Sequence, residues 1–317
     1  MVPSTSDERG NGEEEYYSSS SFNAAIPLSL IYTCFAHCWI FFSRRYSSNI
    51  ENNQIRLPAR DERNEKKIAI ITGSNTGIGF QTATRLVVDY GWEVVLACRT
   101  KDKALRAMES INDQAKTSKG NGNATVLEYP LDLSDFSSVT KYAQEIRKNY
   151  PKVDVLINNA GINTSGKSND NLDMLFQSNF LGHFLLTNLL IDNLKSDENR
   201  DNGGRGGRII NLSSVMHHFS GQTHKGDTNF WKLMATYTDA DEQQQKPESN
   251  YAASKLAMIL FSQELNHRYG KSCRLNSIAV NPGSVASDIW RSYPSFVQAV
   301  FRCIYLSPEQ GCKHLYD

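Results

Sequence analysis

The chain has 317 residues, 34 Lys+Arg against 34 Asp+Glu, and a formal net charge of zero. That balance, with no basic stripe, argues against nucleic acid as a principal partner, because neutralising phosphates needs a cationic surplus. Hydrophobic residues at 39% and charged residues at 21% suit a globular chain. Six cysteines (34, 38, 98, 273, 303 and 312) are too few and too scattered for a disulfide scaffold or a paired zinc site, which points to a reducing compartment.

Residues 1–21 are polar, with Glu13, Glu14 and Glu15 in a row, and are expected to form a disordered tail that cannot offset its chain entropy by burial. Residues 22–42 contain no Asp, Glu, Lys or Arg. As a helix they reach about 31 Å, against a hydrocarbon core of about 30 Å. Arg44 and Arg45 follow, and Tyr32, Trp39 and Tyr46 suit the interfaces. The acidic flank is wrong for a cleaved signal peptide. The segment is therefore expected to be a transmembrane anchor that leaves the body on the cytoplasmic side, with a buried core helix as the rival; Pro27 and His37 weigh against the anchor. Residues 43–65 read as a polar linker.

From Lys66 onward, short apolar runs alternate with helical stretches. The runs at 66–73, 92–99, 124–133, 153–161, 207–214 and 274–283 predict strands, and 79–90, 101–115, 135–149, 171–195 and 250–269 predict helices. Near-continuous Val, Ile and Leu strands are expected when helices cover both faces of a parallel sheet. The pattern predicts one α/β domain over 66–317, a doubly wound parallel sheet of Rossmann type. Residues 215–249 break the alternation and read as an insertion. Its His217, His218 and His224 have no carboxylate at ligand spacing, so no metal is expected. Phe230 and Trp231 in the same stretch either close over an apolar substrate or pin the loop.

Three groups of residues carry chemistry. Thr72-Gly73-Ser74-Asn75-Thr76-Gly77-Ile78-Gly79 lies between the first strand and a helix. Glycines there let the backbone turn tightly and approach a pyrophosphate held at the helix N-terminus. The second strand ends at Arg99, with Lys101 and Lys103 behind it. A carboxylate at that place suits NAD(H); an arginine suits the 2′-phosphate of NADP(H). Tyr251 and Lys255 sit four apart on a predicted helix and so share a face, where an ammonium would stabilise a phenolate and lower its pKa.

Asn158-Asn159-Ala160-Gly161 ends the fourth strand, Asn179 lies in the next helix, Ser213-Ser214 ends the fifth strand, and Asn281-Pro282-Gly283 ends the sixth. In this order the set resembles the short-chain dehydrogenase/reductase family across essentially all of 66–317. The variants Thr72–Gly79, Leu96–Arg99, Asn179–Thr187 and Tyr251–Ala257 resemble its retinol dehydrogenase and WW-domain oxidoreductase branch.

The resemblance implies an NADP(H)-dependent enzyme acting on an alcohol/carbonyl pair of a lipophilic molecule, with NAD(H) the lesser fit. By it, Tyr251 is the general acid or base and Lys255 lowers its pKa and binds the nicotinamide ribose. Ser214 holds the substrate oxygen, with Ser213 a competitor for that role, and Asn179 holds a water linking Lys255 to solvent. Gly73, Ser74, Asn75, Thr76, Gly77, Ile78, Gly79 and Arg99 hold the phosphates; Asp132 and Leu133 the adenine side. Asn158, Ala160 and Gly161 pack along the cofactor. Pro282, Gly283, Val285 and Ser287 fix the nicotinamide face. The branch also implies the endoplasmic reticulum as the membrane, with an organellar membrane the alternative; a homodimer is left open.

Two rivals remain: a sugar-nucleotide epimerase or dehydratase, which pairs with a G-x-x-G-x-x-G loop absent here, and a cofactor-binding scaffold without turnover. The interval from Ser214 to Tyr251 is longer than the family's usual gap. The chain also stops at Asp317, soon after Ser307-Pro-Glu-Gln310, where relatives continue through another strand. Either the sheet lacks its last edge strand or the sequence is incomplete.

Overall fold

The structure is a computed structural model that describes residues 66–118, 121–195, 206–220, 247–287, 289 and 294–316. The chain divides into two units, residues 1–47 and 48–317, and all described residues belong to the second. The tail expected at 1–21, the anchor at 22–42 and the linker at 43–65 lie outside the described residues. Among the described residues no helix is long and apolar enough to cross a membrane.

Six strands, β1 (Ile68–Thr72), β2 (Glu93–Ala97), β3 (Asn123–Thr125), β4 (Val155–Asn158), β5 (Arg208–Leu212) and β6 (Asn276–Val280), form one sheet in the order β3-β2-β1-β4-β5-β6. Every pairing is parallel. The order reverses between β1 and β4, the switch point at which open α/β sheets of this kind receive a ligand in a crevice beyond the carboxyl ends of the strands. Alternate residues feed two cores. Ile70, Val95, Leu156 and Ile209 face one helical layer, while Ala69, Ile71, Val94, Leu96, Ile157 and Ile210 face the other. Burial on both faces is why the strands read as unbroken apolar runs instead of alternating ones.

The helices bury one stripe each. In α1 (Gly77–Val88) the stripe is Ala83, Leu86 and Val87; in α2 (Lys101–Thr117) it is Ala104, Ala107, Ile111 and Ala115. Val139, Tyr142, Ala143 and Ile146 do the same for α3 (Phe136–Asn149). These are the three- and four-residue steps of a helix with one face in the core. Asp135 caps α3 by accepting from Ser137 N at 2.8 Å and Ser138 N at 3.2 Å.

Several elements differ from expectation. The third strand pairs over only three residues, because the chain beyond Thr125 finds other partners: Glu128 N and Tyr129 N both donate to the Glu145 carboxylate, at 3.0 and 3.1 Å. The helix expected at 171–195 is a series: α4 (Met174–Phe176), a π-helical turn (Gln177–Leu181), α5 (Gly182–Leu189) and α6 (Ile191–Leu194). The insertion begins as a 3-10 turn (Val215–Phe219), residues 221–246 lie outside the described set, and α7 (Pro247–Tyr269) starts before position 250. His224, Phe230 and Trp231 are among those undescribed.

Two further helices, α8 (Ser295–Ile304) and α9 (Pro308–Tyr316), were not expected. Ser307 and Gln310 form a reciprocal cap: Gln310 N donates to Ser307 Oγ at 3.2 Å, and Ser307 N donates to Gln310 Oε1 at 2.9 Å. The helix braces α1 through Leu315 in the core and an Arg85–Glu309 pair at 3.5 Å.

The bonds from Ser137 and Ser138 hold the Asp135 carboxyl below its ordinary pKa. Asp135→Ala is therefore expected to cost about 1 kcal/mol at neutral pH. A depressed carboxyl contributes its stability above its unfolded pKa and loses it as pH falls through the folded value. In urea melts the gap between parent and variant should close in acid; a gap unchanged from neutral to acid pH would contradict the cap.

Candidate active site

β1 ends at Thr72, and the chain turns at once through Gly73 (φ 63°) and Gly77 (φ 61°), left-handed conformations that favour glycine. The turn is packed against the end of β4. Thr72 Oγ1 accepts from Asn159 N and Ala160 N, both at 2.9 Å. Asn159 Nδ2 donates back to Thr72 O at 2.7 Å and Gly73 O at 3.2 Å. A Cβ on Gly73 would meet Ala160 Cα at 2.9 Å, and one on Gly79 would meet Asn159 Nδ2 at 2.4 Å. Ser74 is buried and donates to Ile71 O at 2.8 Å. Thr76 is exposed, while Asn75 and Ile78 are half-buried, Ile78 against the core.

The residues fit a dinucleotide. Thr76 at the N-cap of α1 makes no side-chain cap bond, and the first turn holds no acidic residue. The leading N–H groups and the positive end of α1 therefore suit an anion. Gly73 N donates to Ala97 O at 2.8 Å, which sets the loop beside the end of β2, where Arg99 is exposed two residues on. Ser287 lies across the loop, 3.5 Å from where a Gly77 Cβ would stand. Its segment is fixed by Gly283 (φ 82°) and by pairing of Val285 with Leu306; Pro282 is buried.

Asp132 and Leu133 sit in the turn before α3. The Asp132 carboxylate accepts from Ser134 N at 2.9 Å and Ser134 Oγ at 2.6 Å. Leu133 is overlaid by α5, where Gly182 allows the approach: a Cβ there would meet Leu133 O at 2.4 Å.

The helix α7 places Tyr251 and Lys255 one turn apart. Lys255 Nζ lies 5.5 Å from the centroid of the Tyr251 ring and donates to Leu212 O at 3.0 Å. Tyr251 is hydrogen-bonded to Ser214. Ser213 is no competitor: it is buried and donates to Lys255 O at 2.8 Å, pinning α7 to the end of β5. Asn179, fully buried in the π-turn, accepts from Ile162 N at 2.8 Å and donates to Ile162 O at 3.0 Å and Ser254 Oγ at 3.3 Å. A Cβ on Gly161 would stand 3.6 Å from both Asn179 Oδ1 and Lys255 Nζ, so glycine leaves that corner open.

Three sequence expectations change. Asn158 does not lie along the crevice; its amide is buried and donates to Thr187 Oγ1 at 3.0 Å and Asn211 Oδ1 at 2.7 Å. Its neighbour Asn159, named above only as part of the strand-end motif, holds the loop. Third, burial pushes the Tyr251 phenol up to about 12, with the Ser214 hydrogen bond acting the other way, and pulls Lys255 down to about 8. The ammonium was expected to acidify the phenol, but it stands over the ring face, where a cation is drawn to the π cloud and not to the oxygen.

This crevice belongs to the class of doubly wound nucleotide-binding folds. The family model described as "short chain dehydrogenase" matches residues 67–224. Mouse (Mus musculus) retinol dehydrogenase 11 is 35% identical over 272 residues, 84% of this chain and 75% of the relative. Mouse retinol dehydrogenase 13 is 37% identical over 228 residues, which are 71% of this chain and 60% of that protein's length. The solved alcohol dehydrogenase from the archaeon Thermococcus sibiricus, complexed with 5-hydroxy-NADP, has a similar fold (TM-score 0.55, 18% identity, 80% of this chain and 89% of that one). The chain is a member of the short-chain dehydrogenase/reductase family of oxidoreductases, whose fold binds a nicotinamide cofactor, with retinol dehydrogenases among its relatives.

A half-buried phenol whose environment disfavours the charged form should resist ionisation. Absorbance titration of the parent minus a Tyr251→Phe variant is expected to show no phenolate below about pH 10. A Tyr251 phenolate appearing near neutrality in the free protein would contradict the burial argument.

Proposed function

We propose that this chain is an NADP(H)-dependent oxidoreductase interconverting an alcohol and a carbonyl on a lipophilic small molecule, with Tyr251 as general acid in reduction and general base in oxidation. The observation that carries the reading is the convergence of Ser214 and Lys255 on the Tyr251 side chain, with the Gly161–Asn179 corner beside Lys255 Nζ. Arg99, standing where NAD-preferring sites tend to carry a carboxylate, favours the 2′-phosphate. The solved Thermococcus relative holding 5-hydroxy-NADP is consistent with it.

When bound, the cofactor supplies or accepts a hydride. The chain's own residues do the rest. The Gly73–Gly79 loop and the start of α1 hold the pyrophosphate, Asp132 and Leu133 border the adenine, and Ala160 and Gly161 line the path between. Pro282, Gly283, Val285 and Ser287 border the nicotinamide. Tyr251 donates its phenolic proton to the substrate oxygen, and Ser214 hydrogen-bonds the same oxygen. Lys255, held at Leu212 O, binds the ribose beside it. The Asn179 amide nitrogen is spent on Ile162 and Ser254 and its main-chain carbonyl lies 3.1 Å from His183 Nδ1, so a water held by this residue hangs on the second lone pair of its Oδ1.

Retinoid-like substrates are suggested by the names of the relatives, and steroid-like or fatty aldehyde ones by the branch resemblance together with an apolar segment at 22–42 that would anchor the 66–317 body at the cytoplasmic face of the endoplasmic reticulum. NADPH consumption measured against a panel of these carbonyls tests the reading. The parent is expected to turn over at least one. Tyr251→Phe should keep NADPH binding and lose about 10²–10⁴-fold in kcat. A parent that binds NADPH and turns over nothing would point instead to a cofactor-binding scaffold.

A further inference from the structure

One buried imidazole connects the two halves of the site, and the hydrogen bonds around it fix its proton. His183 lies on α5, fully buried, with Nε2 at 2.9 Å from Thr72 Oγ1 and Nδ1 at 3.1 Å from the carbonyl of Asn179. Thr72 Oγ1 already accepts from Ala160 N and from Asn159 N, the latter shared with the Ile157 carbonyl at 3.0 Å, which occupies both lone pairs. Its own proton must therefore be given away. The near acceptor is His183 Nε2 at 2.9 Å; the Ile157 carbonyl is farther, at 3.4 Å. Nε2 is then bare, Nδ1 carries the hydrogen, and that N–H donates to Asn179 O. An imidazolium would present a second N–H to a hydroxyl with no lone pair to spare. Burial, with the Lys255 charge adding to it, holds the ring neutral, its pKa lowered to about 3.

We propose that His183 is a positioning residue whose neutral, Nδ1-protonated ring ties the main-chain carbonyl of the π-turn at Asn179 to the Thr72 hydroxyl under the glycine loop. The proposal rests on the reading of the site as a dinucleotide oxidoreductase and adds to it a mechanical link. The Thr72 end of the ring holds the loop that receives the pyrophosphate. The Asn179 end holds the backbone whose side chain borders Lys255 through Gly161. Helical π-turns recur at functional sites, and here the turn's carbonyl has a side chain assigned to it.

The two ends separate by substitution. A glutamine at 183 carries its amide where Nε2 stands and keeps the Thr72 bond; an asparagine carries it where Nδ1 stands and keeps the Asn179 bond. Parent, His183→Gln, His183→Asn and His183→Leu full chains are compared by NADPH fluorescence titration, steady-state kinetics and thermal melting. His183→Asn should weaken NADPH binding about tenfold, the worth of one lost hydrogen bond, with kcat at saturating NADPH nearly unchanged. His183→Gln should bind NADPH like the parent and lose about tenfold in kcat, and His183→Leu should show both losses. A merely structural histidine would lower Tm in all three with no split between Kd and kcat; that result, or a His183→Leu protein with parent values, overturns the proposal.

If the parent binds NADPH without turning over any carbonyl, the catalytic reading fails, and the Kd contrast between Asn and Gln alone decides the role of His183. Nitrogen-15 imidazole NMR of the parent needs neither turnover nor binding. An Nδ1-protonated, Nε2-bare ring for His183 at neutral pH is required, and an Nε2-protonated ring or an imidazolium overturns the proposal.

Discussion

The hydroxyl of Thr72 sits where the sheet changes direction, and much of the site follows from how it must be satisfied. At the ends of β1 and β4 the ladder stops and the chains part, leaving the Ala160 N–H without a strand partner and the Asn159 N–H with only the Ile157 carbonyl of its own strand, at 3.0 Å. Each would cost about 1–3 kcal/mol if buried unpaired. One hydroxyl takes both, and the Asn159 amide returns to the Thr72 and Gly73 carbonyls. The two strand ends are drawn so close that Gly73 and Gly79 have no room for a Cβ even without a ligand. The glycine pattern is thus set by the protein's own seam as well as by an approaching pyrophosphate. The same closure consumes the hydroxyl's lone pairs, which passes the constraint on to His183.

The electrostatics of Tyr251 and Lys255 follow from the same compactness. Both groups are driven toward their neutral forms, the phenol up to about 12 and the amine down to about 8. Desolvation is the first cause in each case, and it outweighs the Ser214 hydrogen bond to Tyr251. The free protein therefore holds its phenol protonated at neutral pH. In the proposed chemistry that is the state ready to donate a proton to a carbonyl oxygen, whereas oxidation of an alcohol requires the bound partners to stabilise a phenolate first.

The sheet was legible because burial on both faces writes long Val/Ile/Leu runs, and each of the six observed strands overlaps one of those runs. Their extent was less legible: the run at 124–133 looks like one strand, yet the Glu145 carboxylate removes two of its N–H groups from the ladder. The π-turn left no mark, since apolar spacing around Asn179 fits an α-helix as well. The helix α9 did leave one, Ser307-Pro-Glu-Gln310, a cap with proline at the first helical position. Within the site, residue types were readable but directions were not. Ser213 and Ser214 point opposite ways from one strand end, and so do Asn158 and Asn159; only the register and the packing of α7 decide which member faces the crevice. His183 was silent because a lone histidine in an apolar helix reads as ordinary core.

The most direct measurement of the central claim, that this crevice brings a reduced pyridine ring against a carbonyl beside Tyr251, follows the hydride itself. NADPH carrying deuterium at the transferring ring carbon is incubated with the full chain and a lipophilic aldehyde or ketone, and the alcohol product is analysed by mass spectrometry. The account predicts deuterium on the carbinol carbon of the product, from one face of the ring only. Alcohol formed without the label from either face, or a cofactor that stays bound and fully deuterated beside unreacted carbonyl, would contradict it.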